Sequence, residues 1–113
     1  MLIHDDGAFR KALIKSLDRL HFTVTFSADG DDAVRLLRER RFQVVLVGVD
    51  VAAKKGLAAL AYVRSNRAAL NARVIILGKP NPGLRDHARD ADETLLEPVD
   101  PDYVAERART YCT

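Results

Sequence analysis

Four carboxylates stand where this chain could do chemistry. Asp5 and Asp6 lie near its start, Asp50 follows a valine-rich run, and Glu97 precedes Pro98. Gathered at one pocket, they would hold Mg2+ or Ca2+ through oxygen, the hard ligand such ions take. Lys54, Lys55 and Lys79 lie in loops that would reach the same place, and a lysine among carboxylates closes such a cluster instead. Without pre-organisation these side chains bind Mg2+ weakly. No other chemistry offers itself. His4, His21 and His87 are isolated, and with one cysteine, Cys112, they give no zinc-ligand spacing. His4 precedes the acidic pair on a buried strand and reads as a satisfied core histidine. No nucleophile–base pair or phosphate-cradling loop is present.

The carboxylates must be positioned by strands. Residues 42–51, Phe-Gln-Val-Val-Leu-Val-Gly-Val-Asp-Val, form a short, nearly pure apolar run. That is the pattern of a strand buried on both faces of a parallel sheet, and its end carries Gly48 and Asp50. Residues 2–4 predict a short first strand ending in the acidic pair. Residues 8–20 predict a helix with Phe9, Leu13, Leu17 and Leu20 on one face. Residues 22–26 alternate with period two and predict a strand. Asp29 is the expected N-cap of a helix running to about Arg40, with Ala33, Leu36 and Leu37 inward and Asp31 and Asp32 in its first turn. Leu57, Leu60, Ala61 and Arg64 mark the stripe of a third helix ending near Asn66, and residues 69–72 read as a loose connection. Residues 73–78 and 93–97 predict two further strands, with a weakly apolar helix over 84–89 between them. Asp100 and Pro101 open the last helix as N-cap and first-turn proline. Val104, Ala105, Ala108 and Tyr111 face inward along it.

Five strands alternating with five helices in 113 residues predict one domain, residues 1–113. Right-handed crossovers make it a flavodoxin-like (βα)5 three-layer α/β sandwich with a parallel sheet of order 2-1-3-4-5. In such sheets the site lies beyond the strand ends where the order reverses, here at residues 5–6 and 48–50. The net charge of +2 is spread over scattered arginines, and Arg35, Arg38, Arg40 and Arg41 read as a solvated face, so nucleic acid is not an expected partner. No apolar run is long enough to span a membrane, no signal peptide is visible, and one cysteine suits a reducing cytoplasm.

The acidic pair after strand one, the central strand, residues 42–56 and the terminal Glu97-Pro98 together resemble the receiver domain of two-component response regulators. The resemblance runs over essentially the whole chain. A typical receiver phosphorylates an aspartate at the end of strand three with a divalent cation, and a lysine after strand five pairs with the phosphoryl group. A hydroxyl after strand four and an aromatic on strand five report the event. Matched residue by residue, Asp5 and Asp6 fit the acidic pair and Pro98 the proline, whose preceding bond the resemblance implies to be cis. The phosphoacceptor position falls on Gly48, the lysine position on Glu97, and the two switch positions on Gly78 and Thr94.

Glycine offers nothing to phosphorylate, and glutamate repels a phosphoryl group. The chain therefore resembles a pseudo-receiver; residues 49–51 and 97–102 look like those of a gliding-motility protein's pseudo-receiver. The resemblance implies a phosphorylation-independent signalling adaptor that acts by protein–protein interaction in a bacterial pathway. It implies no enzymatic activity and no required cofactor, with Mg2+ at most weakly held by Asp5 and Asp6. Its partner face would comprise Arg85, His87, Arg89, Thr94, Tyr103 and Arg107, and a homodimer would use the same face. The alternative is a phosphorylatable receiver with Asp50 as acceptor, which shares strand parity with Gly48. Gly56 stands against it, since its spacing from Gly48 matches the receiver spacing from acceptor to loop glycine. Gly48 and Gly78 further imply a pocket emptied of side chains, open to a loop or a partner backbone.

Overall fold

The computed structural model describes residues 1–4, 6–27, 30–89 and 91–112. In chain order they form β1 (Leu2–Ile3), α1 (Gly7–Arg19), β2 (Phe26–Ser27), α2 (Gly30–Glu39), β3 (Val44–Val49), α3 (Leu57–Ser65), α4 (Arg67–Leu70), β4 (Arg73–Gly78), α5 (Leu84–Ala88), β5 (Glu93–Leu96) and α6 (Pro101–Thr110). All five strands are parallel and lie in the order β2-β1-β3-β4-β5. This is the flavodoxin-like arrangement the strand–helix alternation predicts.

Strand parity divides the core in two. Val45, Val47, Val49, Val74 and Ile76 point to one face and pack with α2, α3 and Leu84. Leu2, Val44, Leu46, Ile75, Leu77 and Leu95 point to the other and pack with α1 and α6. The valine-rich run is apolar at nearly every position because β3 is covered on both sides. Asp100 accepts from the Asp102 amide as N-cap of α6, with Pro101 at its first position. Asp29, the expected cap of α2, lies outside the described residues.

Three expectations are corrected. The second strand is Phe26–Ser27, not residues 22–26. The Phe22 and His21 amides are drawn back to the Leu17 and Asp18 carbonyls, closing α1 in a Schellman turn that delays the strand. Phe22 and Val24 still pack on the core, while Phe26, at the sheet edge, lies 5.0 Å under the Arg10 guanidinium. The inward stripe of α3 is Ala59, Leu60 and Val63, with Ala61 and Arg64 exposed. That helix is apolar almost all round, so periodicity did not set its phase. Finally, the connection before β4 holds a single helical turn, α4, closed by Asn71 in the left-handed region at φ 48°. The described residues therefore contain six helices rather than five.

Candidate functional site

The site is built where β1, β3, β4 and β5 end. Leu2 pairs with Leu46 and Ile3 with Val47. One step further along both strands, His4 arrives beside Gly48, on the face shared by Leu2 and Leu46. Its imidazole is buried, with 6% of the residue exposed. A β-carbon built on Gly48 would stand 2.5 Å from His4 Cδ2. The imidazole thus occupies the volume a side chain at position 48 would need.

His4 is tied at both ring nitrogens. The Asp6 amide donates to Nδ1 at 3.1 Å, and Nε2 lies 2.6 Å from Glu97 Oε1. An Nδ1 that accepts leaves the ring proton on Nε2, where it is donated to the carboxylate. The Phe9 ring packs with its centroid 4.9 Å from the imidazole, and Arg10 donates to the His4 carbonyl at 3.0 Å. Glu97 is held in turn by its amide, which donates to the Gly78 carbonyl at 2.8 Å. The peptide bond between Glu97 and Pro98 is cis.

Gly56 packs against the end of β3. It sits at φ 78°, and a β-carbon on it would come within 2.0 Å of the Gly48 carbonyl oxygen. Only glycine permits that approach. The loop thus meets Gly48 at Gly56 and Asp50 at Lys55. Asp50 also organises its own turn. Its backbone bridges Lys55 in both directions at 3.0 Å, Oδ1 accepts from the Ala53 amide, and Oδ2 lies 3.4 Å from Lys79 Nζ.

Gly78 is covered like Gly48. A β-carbon there would meet Leu84 Cδ2 at 2.6 Å. The pocket expected to be emptied of side chains is filled instead, by His4 at one glycine and Leu84 at the other. Sequence reasoning placed His4 as a core histidine but missed its contact with Gly48. The signal was the register: a large side chain on a neighbouring strand, level with a glycine on the same face.

Of the described carboxylates expected at the pocket, Asp6 and Glu97 share one cleft and Asp50 lies outside its lining. A cleft of about 310 Å³ is lined by Asp6, Phe9, Lys79, Glu97, Pro98 and Val99. Asp6 Oδ1 accepts from the Ala8 and Phe9 amides as the N-cap of α1. Glu97 is engaged with His4, and Asp50 is outside the lining and paired with Lys79. Asp5 lies outside the described residues. Among the described residues no group of three or more His, Cys, Asp or Glu is placed to hold a metal ion.

The residues of the expected partner face lie on α5 and its C-cap Arg89, the edge strand β5 and α6. Arg85, Arg89 and Tyr103 are exposed, and His87, Thr94 and Arg107 half-buried. Both carboxylate oxygens of Glu93 accept from Arg107 Nε, at 3.0 and 2.8 Å, and Arg107 lies over the Tyr111 ring. The Glu93 hydrogen bonds raise the Arg107 pKa above the ordinary arginine value, against the pull of burial. Leu96, 56% exposed on β5, belongs to the same edge and was not foreseen.

No family model matches the chain. The transcriptional regulatory protein AfsQ1 of Streptomyces coelicolor is 44% identical over 55 residues, covering 44% of this chain and 24% of AfsQ1. The match therefore spans about a quarter of that relative's length. Among solved structures, the Francisella response regulator 1452 receiver domain superposes with a TM-score of 0.82 at 18% identity, over 98% of this chain and 93% of that one. The CheY-like receiver domain protein of Methanospirillum hungatei JF-1 gives 0.81 at 17% identity, over 99% and 91%. HP1043, an orphan response regulator of H. pylori, gives 0.81 at 16%, over 99% and 94%. The chain has the fold of response-regulator receiver domains. Among the described residues no helix is long and apolar enough to cross a membrane.

Proposed function

We propose that this chain is a receiver-type signalling domain that works without phosphorylation, as an adaptor for protein partners in a bacterial two-component pathway. The observation that carries this reading is the His4–Glu97 pair. Its imidazole fills the volume beside Gly48 that an acceptor side chain would take, and its carboxylate stands at the position matched to the phosphoryl-binding lysine. A phosphoryl group there would meet a negative charge rather than a positive one. The domain requires no cofactor and catalyses no reaction. It works in the cytoplasm, and its partners dock on α5, β5 and α6, where Leu96 and Tyr103 offer exposed apolar surface.

The competing reading places the phosphoryl group on Asp50. Both oxygens of Asp50 already have partners, the Ala53 amide and Lys79. The deciding experiment incubates the protein with acetyl phosphate and Mg2+ and measures its intact mass. The expected result is an unchanged mass. A phosphorylated species that disappears in Asp50→Asn overturns the proposal.

A further inference from the structure

A second cleft, of about 450 Å³, opens at the opposite end of the sheet, where the loops after α1 and α2 enter β2 and β3. That volume is within the ordinary range for small-molecule sites. Arg40, Arg41, His21, Thr23 and Thr25 line it, and no carboxylate does. Phe22 and Phe42, both half-buried, add aromatic walls.

The two arginines are available. On the preceding helix, α2, Arg35 is paired with Asp32 and Glu39, and Arg38 lies over the Tyr62 ring at 5.7 Å. Among the described residues Arg40 and Arg41 have no side-chain hydrogen bond, ion pair or ring contact. Two adjacent free guanidinium groups beside two hydroxyls, with no acid to neutralise them, are chemistry suited to a phosphate. The cleft beside Glu97 contrasts on this point, because Asp6, Lys79 and Glu97 there are already engaged.

His21 adds an independent observation. It holds the left-handed position that ends α1, at φ 67°, where glycine is the usual occupant. From that position its imidazole lines the cleft wall.

We propose that this cleft binds a phosphorylated small molecule carrying a flat ring, the chemistry of a nucleoside monophosphate. The phosphate meets Arg40 and Arg41, and the ring lies against the phenyl walls. The site is remote from His4 and Glu97, so the proposal stands whether or not the phosphorylation-independent reading does.

The test is calorimetric titration of the whole chain with AMP, with adenosine and ribose 5-phosphate as half-ligands and amide NMR to locate binding. AMP is expected to shift the amides of Thr23, Thr25 and Gln43, and to bind about tenfold more tightly than either half-ligand. Arg40→Ala/Arg41→Ala is expected to weaken AMP by about tenfold or more at an unchanged melting temperature, since both side chains are exposed. His21→Gly is expected to weaken AMP while raising the melting temperature, so loss of folding does not explain its effect. Absence of AMP binding, shifts confined to the other end of the sheet, ribose 5-phosphate binding as tightly as AMP, or full affinity in the double-alanine variant overturns the proposal.

Discussion

Gly48 and His4 are coupled by volume. With Cδ2 2.5 Å from where a β-carbon on residue 48 would be, the imidazole and a side chain at position 48 exclude one another. Gly48→Ala is therefore expected to cost about 1–3 kcal/mol, the usual range for overpacking a close-packed site. His4→Ala leaves a cavity and takes the partner from Glu97, so it destabilises too. Combined, the two changes should cost less than their sum, because removing the imidazole makes room for the methyl group. The expected coupling is about 0.5–3 kcal/mol, measured by urea unfolding of the four proteins. Strict additivity would show that His4 and residue 48 do not compete for the same space. The same contact bears on restoring an acceptor. Gly48→Asp with Glu97→Lys leaves the imidazole in place, so a third substitution at His4 is needed. The glycine was legible as an absence only through the resemblance, which implies an acceptor at that distance from Gly56. What fills the absence was not, since a histidine two residues after Leu2 carries no mark of the strand it will face.

At the scale of elements, the sheet's far edge is tied together by Asp92, just before β5. Its amide donates to the Val74 carbonyl and its Oδ2 accepts from the Val74 amide at 2.7 Å, while Arg67 and Arg73 stand 3.3 and 3.4 Å from the carboxylate. Burial raises the carboxyl pKa, but the Val74 amide and the two arginines outweigh it, and Asp92 sits below the usual carboxylate range. A group whose folded pKa is depressed stabilises the fold fully above its unfolded pKa, about 3.9, and the contribution is lost as pH falls through the folded value. Asp92→Asn is therefore expected to cost about 1–3 kcal/mol at pH 7. The gap from the parent protein should narrow below about pH 4. Urea midpoints at both pH values check this, and a gap that persists unchanged in acid would assign the loss to shape rather than charge. Elements of this kind were legible to different degrees. β4 and α6 carry their own bounds, in an apolar run and in Asp100-Pro101, whereas α3, apolar on most sides, takes its phase from the sheet it meets. Asp92 could not be read at all, because its role depends on a strand almost twenty residues away.

Across the whole molecule, the question is whether the pocket end communicates with the α5–β5–α6 face. Such coupling needs an element with two arrangements that both sites bias. Here the two glycines at the pocket end are covered by side chains of the chain itself. His4 packs on Gly48, Leu84 packs on Gly78, and Thr94, half-buried on β5, has neither the size nor the freedom of an aromatic that swings between two positions. The face is likewise held from within, by Arg107 on Glu93. The receiver-shaped sheet here carries packed side chains at both glycines. Mg2+ with beryllofluoride, a phosphoryl mimic, is accordingly expected to leave the amide NMR positions of Thr94, Tyr103 and Arg107 unchanged. It should also leave the melting temperature unmoved, whereas a ligand bound selectively to the folded state at a hundred times its Kd would stabilise it by about 2.7 kcal/mol. Concerted shifts along α5, β5 and α6 would instead require a second arrangement of this face, and with it a pocket that His4 vacates.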